Sequence, residues 1–143
     1  MKKPFFWEKA KKALITKDKK LGYIINRYSK DFLFSKSDPF YTLARSIVGQ
    51  QISVKAAQAV WDRFENKIEK VTPKNTLNAH FMSLKSCGLS HQKISYLKSL
   101  ATGFINRDIK PQKWKNYSDE EIIEELIKIK GIGRWTAEMF LIF

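Results

Sequence analysis

The chain has 143 residues and a formal net charge of +13, from 27 Lys and Arg against 14 Asp and Glu. Hydrophobic residues make up 43%, including ten Phe, five Tyr and four Trp, which supplies one packed core and excludes wholesale disorder, while the length argues against two domains. A single cysteine, Cys87, excludes an internal disulfide and any all-cysteine metal or iron–sulfur centre. Residues 1–143 are therefore expected to form one domain.

Apolar residues recur three and four apart almost throughout, with no sustained alternation of the strand kind, so the expected class is all-α. Phe6, Ala10, Ala13 and Leu14 give a first helix, and Leu21, Ile24, Ile25 and Tyr28 a second. SKSDPF then breaks the pattern. Asp38 before Pro39 is a helix start, because the carboxylate caps free N–H groups and proline suits the first turn. That helix carries Leu43, Ala44, Ile47 and Val48 and ends at Gly49. After the short GQQI link, Ser53 caps a helix with Ala56, Ala57, Val60, Trp61 and Phe64 facing inward.

Beyond Pro73, Leu77, Phe81 and Leu84 mark one further helix that stops at Gly88. Ser90 opens an amphipathic helix with Ile94, Leu97, Leu100, Ala101, Phe104 and Ile105 on one face. NRDIKPQKWKNYS reads as a loop. Ser118 and Glu121 have capping-box spacing and open a helix whose buried stripe is Ile122, Ile123, Leu126 and Ile127, with Lys128 and Lys130 complementing its C-terminal dipole. Gly131 and Gly133 make a turn, and Arg134 to Phe143 read as a second, mostly buried helix.

The positive charge is spread along the chain and favours a polyanionic partner, nucleic acid before an anionic membrane surface. No apolar run is long enough to span a bilayer. The N-terminal MKKPFFWEKAKKALI lacks the uninterrupted apolar stretch of a secretory signal, so an intracellular location is the default.

A helix, a Gly-x-Gly turn and a second helix present backbone N–H groups at a helix N-terminus, which binds phosphate without reading bases. The fuller string LIKIKGIGRWTA resembles the helix-hairpin-helix of DNA glycosylases, and its tryptophan narrows the likeness to the 3-methyladenine DNA glycosylase II family. DPFYTLARSIVGQQISVKAA resembles that family's helix and wedge loop, and CGLSHQKISYLKSLA its next segment, in the same order and spacing.

The resemblance implies an all-α helical bundle with the hairpin near the C-terminus. It also implies a monomeric protein of bacterial cytoplasm or nucleoid that excises alkylated bases, 3-methyladenine among them, from double-stranded DNA after base flipping. Gly131, Gly133 and Thr136 would meet DNA phosphate, with Arg134 nearby. Gln50 and Gln51 would enter the gap left by the flipped nucleotide, with Gln51 a polar departure from an apolar wedge. Trp135 would wall the base pocket, its indole face attracting a cationic alkylated purine. Met139 stands where some relatives have another aromatic. Backbone carbonyls of Ile127, Ile129 and Ile132 are the positions for a monovalent cation, and no other cofactor is implied. The family's catalytic aspartate follows the second hairpin helix, beyond Phe143. No catalytic residue is therefore assigned, and the chain reads as an N-terminal piece expected to be inactive alone.

Endonuclease III-like relatives place lysine where this chain has Trp135 and use four cysteines for an iron–sulfur cluster. Both features point instead to a monofunctional glycosylase. A non-enzymatic helix-hairpin-helix DNA-binding module is the alternative, and a basic scaffold for proteins a third reading.

Overall fold

The computed structural model describes residues 3–32 and 38–142. The expected break at Ser35–Ser37 and the final residue Phe143 lie outside them. The described residues are helical, with no strand among them, as the apolar spacing requires. They fall into two compact units, residues 3–32 and residues 38–142.

In the first unit α1 (Trp7–Lys17) and α2 (Lys19–Arg27) form a helical hairpin, with the Asp18 carboxylate accepting from the Lys20 and Leu21 N–H groups to start α2. Gly22 is buried and lets α2 approach the backbone of Ile15, which a Cβ would meet at 3.4 Å. Trp7, Ala10, Leu14, Leu21, Ile24 and Tyr28 line an apolar groove between the helices. Phe6, Ala13 and Leu14 of the expected first stripe are exposed, as are Ile24 and Tyr28 of the second. Two short helices cover each other along one line of contact and leave the far side of each stripe open.

The second unit holds the buried core. Its α3 (Pro39–Gly49) starts as the sequence predicts, with Asp38 Oδ1 accepting from the Tyr41 N–H at 3.1 Å. The next helix, α4 (Val54–Ile68), is capped by Ser53. Val60, Trp61 and Phe64 of α4 join Leu43, Ala44 and Ile47 of α3 in the core. Ala56 is exposed instead of inward-facing: it shares the face of Val60 and Phe64 but lies in the first turn, one turn before the first buried residue of the helix.

The single helix expected over Leu77–Leu84 is two, α5 (Pro73–Asn78) and α6 (Phe81–Ser86). Thr72 caps the first, and His80 Nδ1, accepting from the Met82 N–H, caps the second. Lys98 Nζ donates to the carbonyls of Leu77 and Ala79, at 3.1 and 3.0 Å, so a lysine on another helix satisfies the groups that the break leaves open.

Central to this unit is α7 (His91–Ile105), capped by Ser90 and buried through Ile94, Leu97, Leu100 and Ala101. Within the expected loop, Pro111–Asn116 form a 3-10 helix. Its Trp114 donates to Glu125 Oε1 at 2.9 Å and packs edge-to-face on Phe140.

Both halves of the Ser118–Glu121 capping box are present at the start of α8 (Asp119–Leu126). Two expectations fail at its end. The helix stops at Leu126, which leaves Ile127 exposed, and the buried stripe continues through Ile129 and Ile132 of the turn. Lys128 and Lys130 consequently lie in the turn, outside the last helical turn. The final helix, α9 (Arg134–Ile142), buries only Thr136 and Ala137, with Met139, Phe140 and Leu141 half-buried. It packs by one face against α8 and α3 and is not the mostly buried helix its apolar composition predicted.

Candidate nucleic-acid interface

The hairpin turn from α8 to α9 is closed by hydrogen bonds from the Ile129 N–H to the Leu126 carbonyl and from the Ile132 N–H to the Ile129 carbonyl, each 3.0 Å. Its two glycines have different physical reasons. Gly131 has φ +92°, and a Cβ there would lie 2.2 Å from two ring carbons of Tyr96. Backbone conformation and space both exclude a side chain. Gly133 has no left-handed φ, and a Cβ on it would meet nothing within 4 Å. Open space at Gly133 is what a close-approaching ligand needs and packing does not.

The Gly133 carbonyl accepts from the Ala137 N–H at 3.1 Å, so the first turn of α9 begins there. No described hydrogen bond takes the N–H of Gly133 or Arg134. Those groups lie at the positive end of α9 on exposed residues, and Lys128 and Lys130 of the same turn are exposed as well.

The α3–α4 loop joins the hairpin directly. Gln50 Nε2 donates to the Gly131 carbonyl at 2.9 Å, across 81 residues of sequence. Gln51 is exposed and has φ 58°, a left-handed conformation that a non-glycine residue adopts at a cost. The loop also exposes Ile52. Together the loop, the start of α7 and the turn enclose a cavity of about 300 Å³, lined by Gln50, Gln51, Lys93, Tyr96, Gly131 and Gly133 among others.

Lys93 Nζ donates to the Val48 carbonyl at 2.7 Å, and burial pushes its pKa below the usual lysine value. Gln92 Nε2 donates to the Tyr96 hydroxyl at 2.5 Å, placing the ring that lies over Gly131. Gln92, Lys93 and Tyr96 received no role from the sequence. Their spacing of three and four puts them on one flank of α7, bordering the buried Ile94–Leu97–Ala101 face, and that flank is the signal that could have found them.

Of the other expected site residues, Ile132 also lines this cavity and the rest lie outside it. Arg134 is exposed yet engaged: its guanidinium donates to both oxygens of Glu120 at 2.7 Å, and its Nε to Glu138 at 2.9 Å. The Arg134 hydrogen bond holds the Glu120 carboxyl below the usual carboxylate range, and Glu120, then Glu138, raise Arg134 still further. Thr136 is buried. Trp135 is 70% exposed, and Met139, one turn on, is half-buried on the same side of α9. The Ile129 carbonyl, an expected cation ligand, already accepts from the Ile132 N–H and keeps one further lone pair. None of the residues lining the cavity carries a carboxylate.

The model of the HhH-GPD superfamily base excision DNA repair proteins matches residues 44–138. The chain belongs to that superfamily. The match takes in α3 from Ala44, the α3–α4 loop, the cavity and the hairpin, but not the first unit. DNA-3-methyladenine glycosylase 1 of Schizosaccharomyces pombe is 38% identical over 129 residues, 87% of this chain and 57% of that protein. A structure of the S. pombe 3-methyladenine DNA glycosylase in complex with abasic DNA superimposes with a TM-score of 0.82 at 35% identity, over 94% of this chain and 69% of that one. The DNA-3-methyladenine glycosidase of Bacillus halodurans gives 0.75 at 34% identity, over 79% and 53%. The chain thus spans little more than half the length of several HhH-GPD relatives. No described helix is long and apolar enough to cross a membrane.

Proposed function

We propose that this protein is a monofunctional DNA glycosylase of base excision repair. It acts as a monomer inside the cell on alkylated bases, 3-methyladenine among them, in double-stranded DNA. The observation that carries the reading is the Gln50–Gly131 hydrogen bond, which ties the loop after α3 to the hairpin turn, so that in this reading the turn meets phosphate while the loop enters the duplex. Phosphate would rest on the open N–H groups at Gly133 and Arg134, over the space that Gly133 leaves free. Lys128 and Lys130 would add sequence-independent attraction.

A stacked base is out of reach of water, so the nucleotide has to leave the helix. Gln51, exposed and held in its left-handed conformation, would fill the gap, with its amide free to bond the orphaned partner base. The exposed indole of Trp135, with Met139 beside it, would receive the extruded base, and a cationic purine favours such a face. Cleavage gives the bonding electrons to the base, already a good leaving group when cationic, and the sugar passes through an oxocarbenium-like state before water adds. That step asks for one nearby carboxylate and for no redox centre. The carbonyls of Ile127, Ile129 and Ile132 are the positions at which a monovalent cation would brace the turn.

The test is competition binding of the 143-residue chain to unmodified and abasic-site duplexes across a salt series. Tighter binding to the abasic duplex, and loss of affinity for both in Gly133→Asp, are expected. Equal affinity for the two, with Gly133→Asp binding as the parent does, would sink the reading.

A further inference from the structure

The arginine beside the hairpin is the residue that charge alone would assign to a phosphate, and it is the one cation of the hairpin that carboxylates hold from two sides. Three of its five N–H groups are already donated, two to Glu120 and one to Glu138. The cluster carries one positive and two negative charges, a net −1. It sits at the first turn of α9, next to the open N–H groups at Gly133. A negative cluster opposes there what the helix N-terminus and the neighbouring lysines favour.

Glu120 is not needed for either job that an acid at that position usually does. The capping box of α8 is made by Ser118 and Glu121, whose carboxylate accepts from the Ser118 N–H at 2.7 Å. Dipole compensation at the same helix start is shared with Asp119 and Glu121. What Glu120 alone does is reach across the hairpin to Arg134 with both oxygens, in the planar two-bond geometry that a phosphate would otherwise take up.

We infer that Glu120 is a positioning residue that withholds Arg134 from the DNA backbone, keeping the hairpin's grip on undamaged duplex weak so that the wedge loop and base pocket supply the discrimination. This rests on the hairpin being the DNA-binding surface, as proposed above. A protein that scans long stretches of intact duplex for rare lesions gains from a weak sequence-independent term, because every extra phosphate contact strengthens binding to all sites alike.

The experiment is a salt titration of binding to unmodified duplex for the parent chain, Glu120→Gln, Asp119→Asn, Arg134→Gln and the Glu120→Gln/Arg134→Gln double variant. All these side chains are exposed, so folding is not at stake. Release of Arg134 to one phosphate is expected to steepen the logarithmic salt slope by about 0.9, so that the affinity advantage of Glu120→Gln grows about eightfold for each tenfold drop in salt. Asp119→Asn removes the same charge from the same helix turn without freeing an arginine, and should leave the slope near that of the parent. In the Arg134→Gln background, Glu120→Gln should add nothing. Equal slopes for Glu120→Gln and Asp119→Asn, or a Glu120→Gln effect that survives the loss of Arg134, would overturn the inference while leaving the hairpin reading intact. Measured alongside, Gly133→Asp separates the two failures: if it binds as the parent does, the hairpin is not the DNA surface and both fall.

Discussion

The two glycines of the hairpin allow structure and function to be separated by substitutions of one methyl group. In Gly131→Ala the new Cβ would stand 2.2 Å from the Tyr96 ring on a backbone with φ +92°. The left-handed backbone costs about 1–2 kcal/mol for a non-glycine residue. Forcing the ring aside adds about 1–3 kcal/mol of overpacking, for a sum of about 2–5 kcal/mol. That is a large fraction of the about 5–15 kcal/mol that holds a domain together. In Gly133→Ala the methyl enters open space at an unstrained backbone, so stability should change by less than about 1 kcal/mol, the residual reflecting alanine's poorer fit at a helix start. Its cost should appear in binding, because the methyl occupies the space a phosphate needs. Loss of one charge-assisted hydrogen bond, about 1.5–3 kcal/mol, corresponds to at least about a tenfold fall in duplex affinity. Urea unfolding and duplex titration on the same three proteins check both halves. A Gly131→Ala chain as stable as the parent would refute the geometry, and a Gly133→Ala chain with parental affinity would refute the phosphate role.

Thr76 is fully buried with its hydroxyl unpartnered among the described residues, so Thr76→Val should leave stability unchanged or raise it by about 1 kcal/mol in urea unfolding. Gln50→Glu turns a donor into an acceptor facing the Gly131 carbonyl, and should lose about 1–3 kcal/mol of stability together with the preference for abasic duplex. If Gln50 instead touched only DNA, its loss would weaken binding with stability untouched. The Ser118 backbone N–H, then its hydroxyl, hold the Glu121 carboxyl below the usual range, so its contribution is present above the unfolded carboxylate value of about 4.3 and fades as pH falls through the lowered one. Glu121→Gln should therefore flatten the acid limb of the stability–pH curve. Release of 3-methyladenine from methylated duplex by the 143-residue chain should stay at background, since Glu138, the carboxylate between Trp135 and Met139 on α9, is held by Arg134 at 2.9 Å. Release that Glu138→Gln abolishes would overturn this and identify the acid.

Features set by a few neighbouring residues were legible. The Asp38, Ser53, Ser90 and Ser118 caps are all in place, because a side chain bonding N–H groups two or three residues ahead is a local event. The Gly131–Gly133 turn is where the spacing put it. Misreadings came where a distant group decides. Nothing near Ala79 in sequence announces that Lys98 will satisfy its carbonyl, so two short helices read as one. Lys128 and Lys130 look like the end of a helix, but the helix stops at Leu126 and the burial of Ile129 and Ile132 in the core belongs to the turn that follows. Composition overstated the burial of α9 for the same reason: an apolar helix is buried only as far as its partners reach.

The candidate site shows the same division more sharply. Residue types at Gln50, Gln51 and the glycines could be singled out from the sequence, but not the bond that makes them one device. Gln50 Nε2 donates to the Gly131 carbonyl at 2.9 Å, which ties the loop to the turn and leaves its second N–H and its amide oxygen for DNA. Gln51, next in the chain, is exposed with a left-handed backbone, and in the proposed function it is the residue that enters the gap. Arg134 is the electrostatic counterpart. Charge counting adds it to the attraction for phosphate, while Glu120 and Glu138 turn its surroundings to net −1. In both cases the sequence supplies the functional group and the tertiary partner decides whether that group is free to act, which is why swapping the partner is a sharper test than removing the group.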